Sequence, residues 1–113
     1  MVIGTTVVGT TRKCAAGAAP CTGIGIDVSS DSLVVNNVAN NNADSGIVVA
    51  LGLGGGTVIG NTAAGNVGFG LSLSDNTVGY ANNTLRNNNG RGAQVSGGTQ
   101  IGMNLCNGTL CKP

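Results

Sequence analysis

The side chains able to do chemistry in this chain are few: four acidic residues, five lysines and arginines, four cysteines and no histidine among 113 residues. Without histidine the usual nucleophilic triads are excluded, and zinc loses its commonest partner. The acids are Asp27, Asp31, Asp44 and Asp75. The last three stand among Gly, Ser and Asn, the composition of turns. Glycoside cleavage needs two carboxylates roughly 5 to 9 Å apart, and no such pair can be assembled here. The glycine run at 52–56 lacks the Gly-Lys-Ser/Thr ending and following helix of a phosphate loop. No cofactor, no metal and no catalytic residue is therefore expected, and the balance leans against an enzyme. Arg86 and Arg91 flank 87–90 as a small basic edge, best read as a solvated turn. Asn82-Asn83-Thr84 and Asn107-Gly108-Thr109 match the glycosylation sequon, a match that an Asn-rich chain produces by chance.

These residues are carried by a repeat of 22 to 24 residues. Val34-Val35-Asn36-Asn37-Val38-Ala39 with Asn42 is echoed by Val58-Ile59-Gly60-Asn61-Thr62-Ala63 with Asn66, then by Tyr80-Ala81-Asn82-Asn83-Thr84-Leu85 with Asn88. A second echo runs between them, led by Gly23, Gly46, Gly68 and, more weakly, Gly92. Repeats of this length cannot bury an apolar face alone and must stack on their neighbours. Apolar residues alternate with a period of two, as strands require. Stacking predicts ladders of Ile24 over Ile47, Phe69 and Ala93, and of Ile26 over Val49, Leu71 and Val95. Asn37, Asn61 and Asn83, and likewise Asn42, Asn66 and Asn88, are expected at bends between strands. There asparagine tolerates left-handed backbone and can hydrogen-bond its counterparts along the stack.

The composition fits this reading. Hydrophobic residues make up 41% with a mean hydropathy of +0.24, yet there is one Tyr, one Phe and no Trp. The core is thus narrow and built of branched aliphatics, which suits strands. Charged residues are 8% and the net charge is +1, which leaves no electrostatic footprint for nucleic acid. No stretch reaches the roughly 20 apolar residues of a membrane span. The start of the chain has neither the basic nor the apolar region of a signal peptide.

The ends follow the same template. Residues 2–7 match 58–63, with Thr5 and Thr10 replacing the asparagines, and residues 101–106 repeat it again, with Asn104 and Thr109 in the bend positions. Residues 11–22 form an insertion within one domain spanning 1–113. The cysteines fall into two local pairs. Of three possible connectivities, Cys14–Cys21 and Cys106–Cys111 are preferred because each closes a turn at one end of the array, which points to an oxidising, extracellular or cell-surface setting.

The Gly-led strands and the recurring Val-x-x-Asn elements resemble the right-handed parallel β-helix repeats of secreted bacterial proteins, the pectate-lyase-like superfamily, over essentially the whole chain. The resemblance implies an all-β, single-stranded right-handed solenoid of about four to five coils with three parallel sheets; the spacing alone also allows a two-sided solenoid. Enzymes of that superfamily use stacked acidic residues with an Arg or Lys, and here Asp27 is followed along the stack by Ala50, Ser72 and Ser96. The leading expectation is a structural subunit that stacks on itself end to end, as a fibre or a surface stalk. Its assembly edges would be Val2, Ile3, Thr5 and Val7 at one end and Ile101, Met103, Asn104 and Leu105 at the other. The competing expectation is a fragment or relative of a polysaccharide-binding or polysaccharide-cleaving β-helix.

Overall fold

The computed structural model describes residues 1–11, 23–50 and 54–112. Its short strands, rich in Val, Ile, Leu and Thr, assort into three sheets that wind about a common core. The first sheet takes β1 (Val2–Ile3), β4 (Leu33–Val35), β7 (Thr57–Ile59), β10 (Gly79–Ala81) and β13 (Thr99–Gln100) in that order. The second takes β2 (Thr6–Val8), β5 (Val38–Asn40), β8 (Thr62–Ala64), β11 (Thr84–Arg86), β14 (Leu105–Cys106) and β15 (Thr109–Leu110). The third takes β3 (Ile26–Ser29), β6 (Ile47–Ala50), β9 (Leu71–Leu73) and β12 (Val95–Ser96). Every pairing is parallel except the last, β14 with β15. Chain order thus visits the sheets in rotation, which makes the molecule a parallel β-solenoid.

In the first four coils the chain turns from the first sheet to the second over two residues, and the division of labour between them differs from expectation. The left-handed conformation belongs to the residue before each of Thr5, Asn37, Asn61 and Asn83: Gly4, Asn36, Gly60 and Asn82 have φ of 64, 56, 70 and 55°. Gly9, Asn41, Gly65 and Asn87 do the same after the second sheet. Glycine and asparagine are the residues that enter this region at least cost. The bend so made turns the following asparagine inward, and Asn37, Asn61 and Asn83 are each 1% exposed.

The core is a set of single-file stacks. Val34, Val58 and Tyr80 line the first sheet, and Ala39, Ala63 and Leu85 the second. Burying a Val, Leu or Ile side chain stabilises by about 1.5 to 3 kcal/mol, so each coil adds a few such increments on its neighbour. In the third sheet the register is not the expected one. Ile26 lies over Ile47 and Leu71, with Val95 last, and Val28 lies over Val49 and Leu73. Ile24, Phe69 and Ala93 fall outside the strands. The slip is two residues, so the same face stays inside. Its cause is which glycine aligns with Gly46. Gly25 and Gly70, not Gly23 and Gly68, share its rung, because a Cβ at Gly25, Gly46 or Gly70 would stand 2.6, 2.7 or 2.8 Å from the amide nitrogen of Asn42, Asn66 or Asn88. Asp27 accordingly pairs with Val48, which in turn pairs with Ser72, rather than with Ala50.

Candidate functional site

Three of the four aspartates, Asp31, Asp44 and Asp75, stand in bends between strands. Asp75 Oδ1 accepts the Thr77 N–H at 2.8 Å and also the Thr77 hydroxyl. That hydroxyl bond, then the N–H bond, holds the Asp75 carboxyl below its ordinary range, against a smaller opposing effect of desolvation. Asp31 is itself in the left-handed region at φ 62° and donates its N–H to the Gly55 carbonyl. Asp44 Oδ1 accepts the Ser45 N–H at 2.8 Å, and Asp27 is exposed on the outer side of β3. Among the described residues no three His, Cys, Asp or Glu side chains come together as a metal site. Arg86 and Arg91 line one shallow cleft with Asn87, Asn107 and Gly108. Tyr80, in the core, has its hydroxyl pKa raised by burial.

The dominant polar constellation lies inside the molecule. In the first ladder the Asn37 amide N–H and Nδ2 both donate to Asn61 Oδ1 at 2.9 and 3.0 Å. Asn61 does the same to Asn83, and Asn83 to Asn104. The second Nδ2 hydrogen of Asn37, Asn61 and Asn83 reaches back to the carbonyls of Val2, Val34 and Val58, each at 3.0 Å. In the second ladder Asn42 donates to Asn66, and Asn66 to Asn88. A primary amide offers two donors and two acceptor sites, and the central asparagines use all four. Among the described residues no buried side-chain nitrogen or oxygen lacks a partner.

The two ends of these ladders are built differently. At the N-terminal end the Thr5 and Thr10 N–H groups donate to Asn37 and Asn42 Oδ1 at 2.8 and 3.1 Å. Among the described residues β1, β2 and β3 each end their sheets. Val2, Val7 and Val28 are half-buried where their counterparts one coil in, Val34, Ala39 and Val49, are at most 1% exposed. Ile3 and Val8 are 53% and 59% exposed. This face therefore presents apolar core and strand edges together.

At the C-terminal end glutamines stop the ladders. Gln94 Oε1 accepts both donors of Asn88, and its Nε2 donates to the Asn88 and Gly92 carbonyls. Gln100 Oε1 accepts from Asn104 Nδ2 at 2.9 Å, and Gln100 Nε2 donates to the Cys111 carbonyl. The chain then reverses through Asn107 and Gly108, at φ 54 and 85°, and lays β15 antiparallel on β14. The Cys106–Cys111 disulfide clamps this hairpin, and Cys111 packs on the core. Between the hairpin and the last coil lies a hollow of about 570 Å³ bordered by Tyr80, Gln94, Val95, Cys106 and Cys111.

These positions correct part of the sequence reading of the ends. Leu105 is paired on both sides, with Thr84 and Leu110, and Asn104 is 2% exposed inside the ladder; neither lies on an open edge. Ile101 and Met103 are exposed beside β13, the last strand of its sheet. Thr109 sits in the antiparallel hairpin rather than in a bend, and Gln94 takes the ladder position expected of it. The Asn-Gly pair was the available signal for this hairpin. Cys14 and Cys21, with the loop they were expected to close, lie outside the described residues.

The right-handed β-helix region family model matches residues 3–109. No curated protein and no solved structure matches the chain. The match covers nearly the whole sequence, and the structure it falls on is a solenoid of parallel strands. The chain belongs to the right-handed β-helix family.

Proposed function

We propose that this is a non-enzymatic structural solenoid that acts by pairing the strand edges of its open end with further copies of itself. The observation that carries this reading is the N-terminal face, where three strands end their sheets over half-buried valines. Strand edges left unpaired are association sites unless charge, proline or a covering segment blocks them; β1 and β2 themselves contain neither a charged side chain nor a proline, and Arg12, Lys13 and Pro20 of the insertion lie outside the described residues. The Cys106–Cys111 disulfide supports an extracellular or cell-surface setting. A polysaccharide-acting role draws on family resemblance alone. Its supports would be exposed aromatic platforms or paired carboxylates, whereas Tyr80 is buried, Phe69 is partly buried, and Asp44 and Asp75 accept hydrogen bonds within their own turns.

Sedimentation velocity of the oxidised chain over a concentration series tests the proposal. Species heavier than one chain that dissociate on dilution are expected. A chain that stays single at every concentration and co-sediments with a polysaccharide would replace this reading with the glycan-binding one.

A further inference from the structure

The ends of the solenoid are not equivalent, and the difference decides how an assembly resting on the proposed edge pairing would close. Head-to-tail stacking requires the C-terminal face of one copy to receive β2 of the next beside β14. That place is taken by β15. Both asparagine ladders are also terminated there by glutamine. A fibre would have to displace a disulfide-clamped strand.

Among the described residues no strand pairs with the outer side of β2, and its hydrogen-bonding groups suit a copy of itself. Thr5 and Gly9 bond to β5, through Thr5 O to the Val38 N–H and Gly9 N–H to Asn40 O. Backbone groups alternate sides along a strand, so those of Val7 face β5 and those of Thr6 and Val8 face outward. We propose that two chains associate through this face about a two-fold axis passing by Val7, with β2 antiparallel to the partner's β2. In that register Thr6 stands opposite the partner's Val8, and Val8 opposite the partner's Thr6. Both are the hydrogen-bonded type of antiparallel pair, so all outward N–H and C=O groups of the two residues find partners. Val7 faces the partner's Val7 across the non-hydrogen-bonded position, where side chains lie closest. The contact is isologous and closes at two copies. The short edge is uncharged and β-branched, Thr6-Val7-Val8, so it carries nothing that repels a copy of itself.

Light scattering after gel filtration of the oxidised chain tests this, with the wild type beside three variants. The expected result is a species of twice the 10.9 kDa chain mass. Its dissociation constant should rise roughly tenfold or more in Thr6→Pro, which removes an outward donor, and in Val8→Lys, which charges the edge. Leu110→Lys, on the exposed outer strand of the C-terminal hairpin, should leave it unchanged. Circular dichroism verifies that each variant retains strand content, and Val8→Lys keeps the test open should Thr6→Pro unfold. Open-ended oligomers that Leu110→Lys abolishes would overturn the two-fold pairing yet keep edge association. A wild-type chain that stays single overturns both.

Discussion

At the residue scale, the ladder asparagines tie backbone to core. Asn61 Oδ1 accepts two donors from Asn37, and its Nδ2 reaches the Val34 carbonyl. Truncation leaves these buried groups unsatisfied, so Asn61→Ala should destabilise the fold by about 2 to 4 kcal/mol, read by urea denaturation. The glycine beside the other ladder is as constrained for a different reason. Gly46 has no left-handed backbone, yet a Cβ there would meet Asn66 Nδ2 at 2.7 Å and the Gly70 carbonyl at 3.0 Å. Gly46→Ala should cost about 1 to 3 kcal/mol through overpacking, measured in the same assay. Asp75 offers a titration in place of a stability change. Its pKa is lowered chiefly by the Thr77 hydroxyl, so the turn's stabilisation is present above the unfolded carboxylate pKa and is lost as pH falls through the folded one. Thr77→Val should move the NMR titration midpoint of Asp75 upward. Of these residues, the asparagines were legible in the sequence because their spacing repeats. The glycine register was not, because Gly23 and Gly25 are alike as letters and differ only in whether Asn42 stands behind them.

At the element scale, the C-terminal hairpin departs most from the repeat. β15 has two residues and pairs only with β14, and a two-stranded ribbon of that length is marginal by itself. The Cys106–Cys111 bridge and the Gln100 bond to the Cys111 carbonyl hold it. By loop-closure entropy the bridge contributes about 2 kcal/mol. The double variant Cys106→Ser/Cys111→Ser should therefore raise amide exchange across 104–112 while leaving β7 and β8 protected. Exchange mass spectrometry decides this, and uniform loosening of all coils would show that the bridge supports the whole stack instead. The sequence offered Asn-Gly as a turn and two nearby cysteines, but read as one more repeat it placed Thr109 in a bend. The preceding circuit settles the matter: Tyr80 pairs with Gln100 only 20 residues on, against 24 from Val34 to Val58, so the repeat is already shortening before the hairpin.

At the scale of the whole molecule, the solenoid is a stack in which each coil touches only its neighbours, so stability accumulates along one axis. Ladder and core are complete around β7 and β8, while both faces carry half-buried residues. Hydrogen exchange should therefore be slowest in the strands of the middle coils and fastest in β1 and β13, and a single protection factor shared by all strands would contradict this nearest-neighbour picture. Low charge has its own consequence. With 8% charged residues, association through backbone edges should change little between low and physiological salt, since screening acts on charge.

The coil is legible in the residues of one repeat. A period of two along each strand, a period of 22 to 24 between strands and inward asparagines leave the chain no way to bury its aliphatics except against copies of the same unit. These are local properties, repeated, and they can be read one repeat at a time. The tertiary structure alone decided the register in the third sheet, the handover from asparagine to glutamine at Gln94 and Gln100, and the inequality of the two faces. Each of these depends on what stands one coil away. A glycine is fixed by the amide packed behind it, and an edge is open or closed according to whether another strand lies on it, and neither relation is written in the residues of a single repeat.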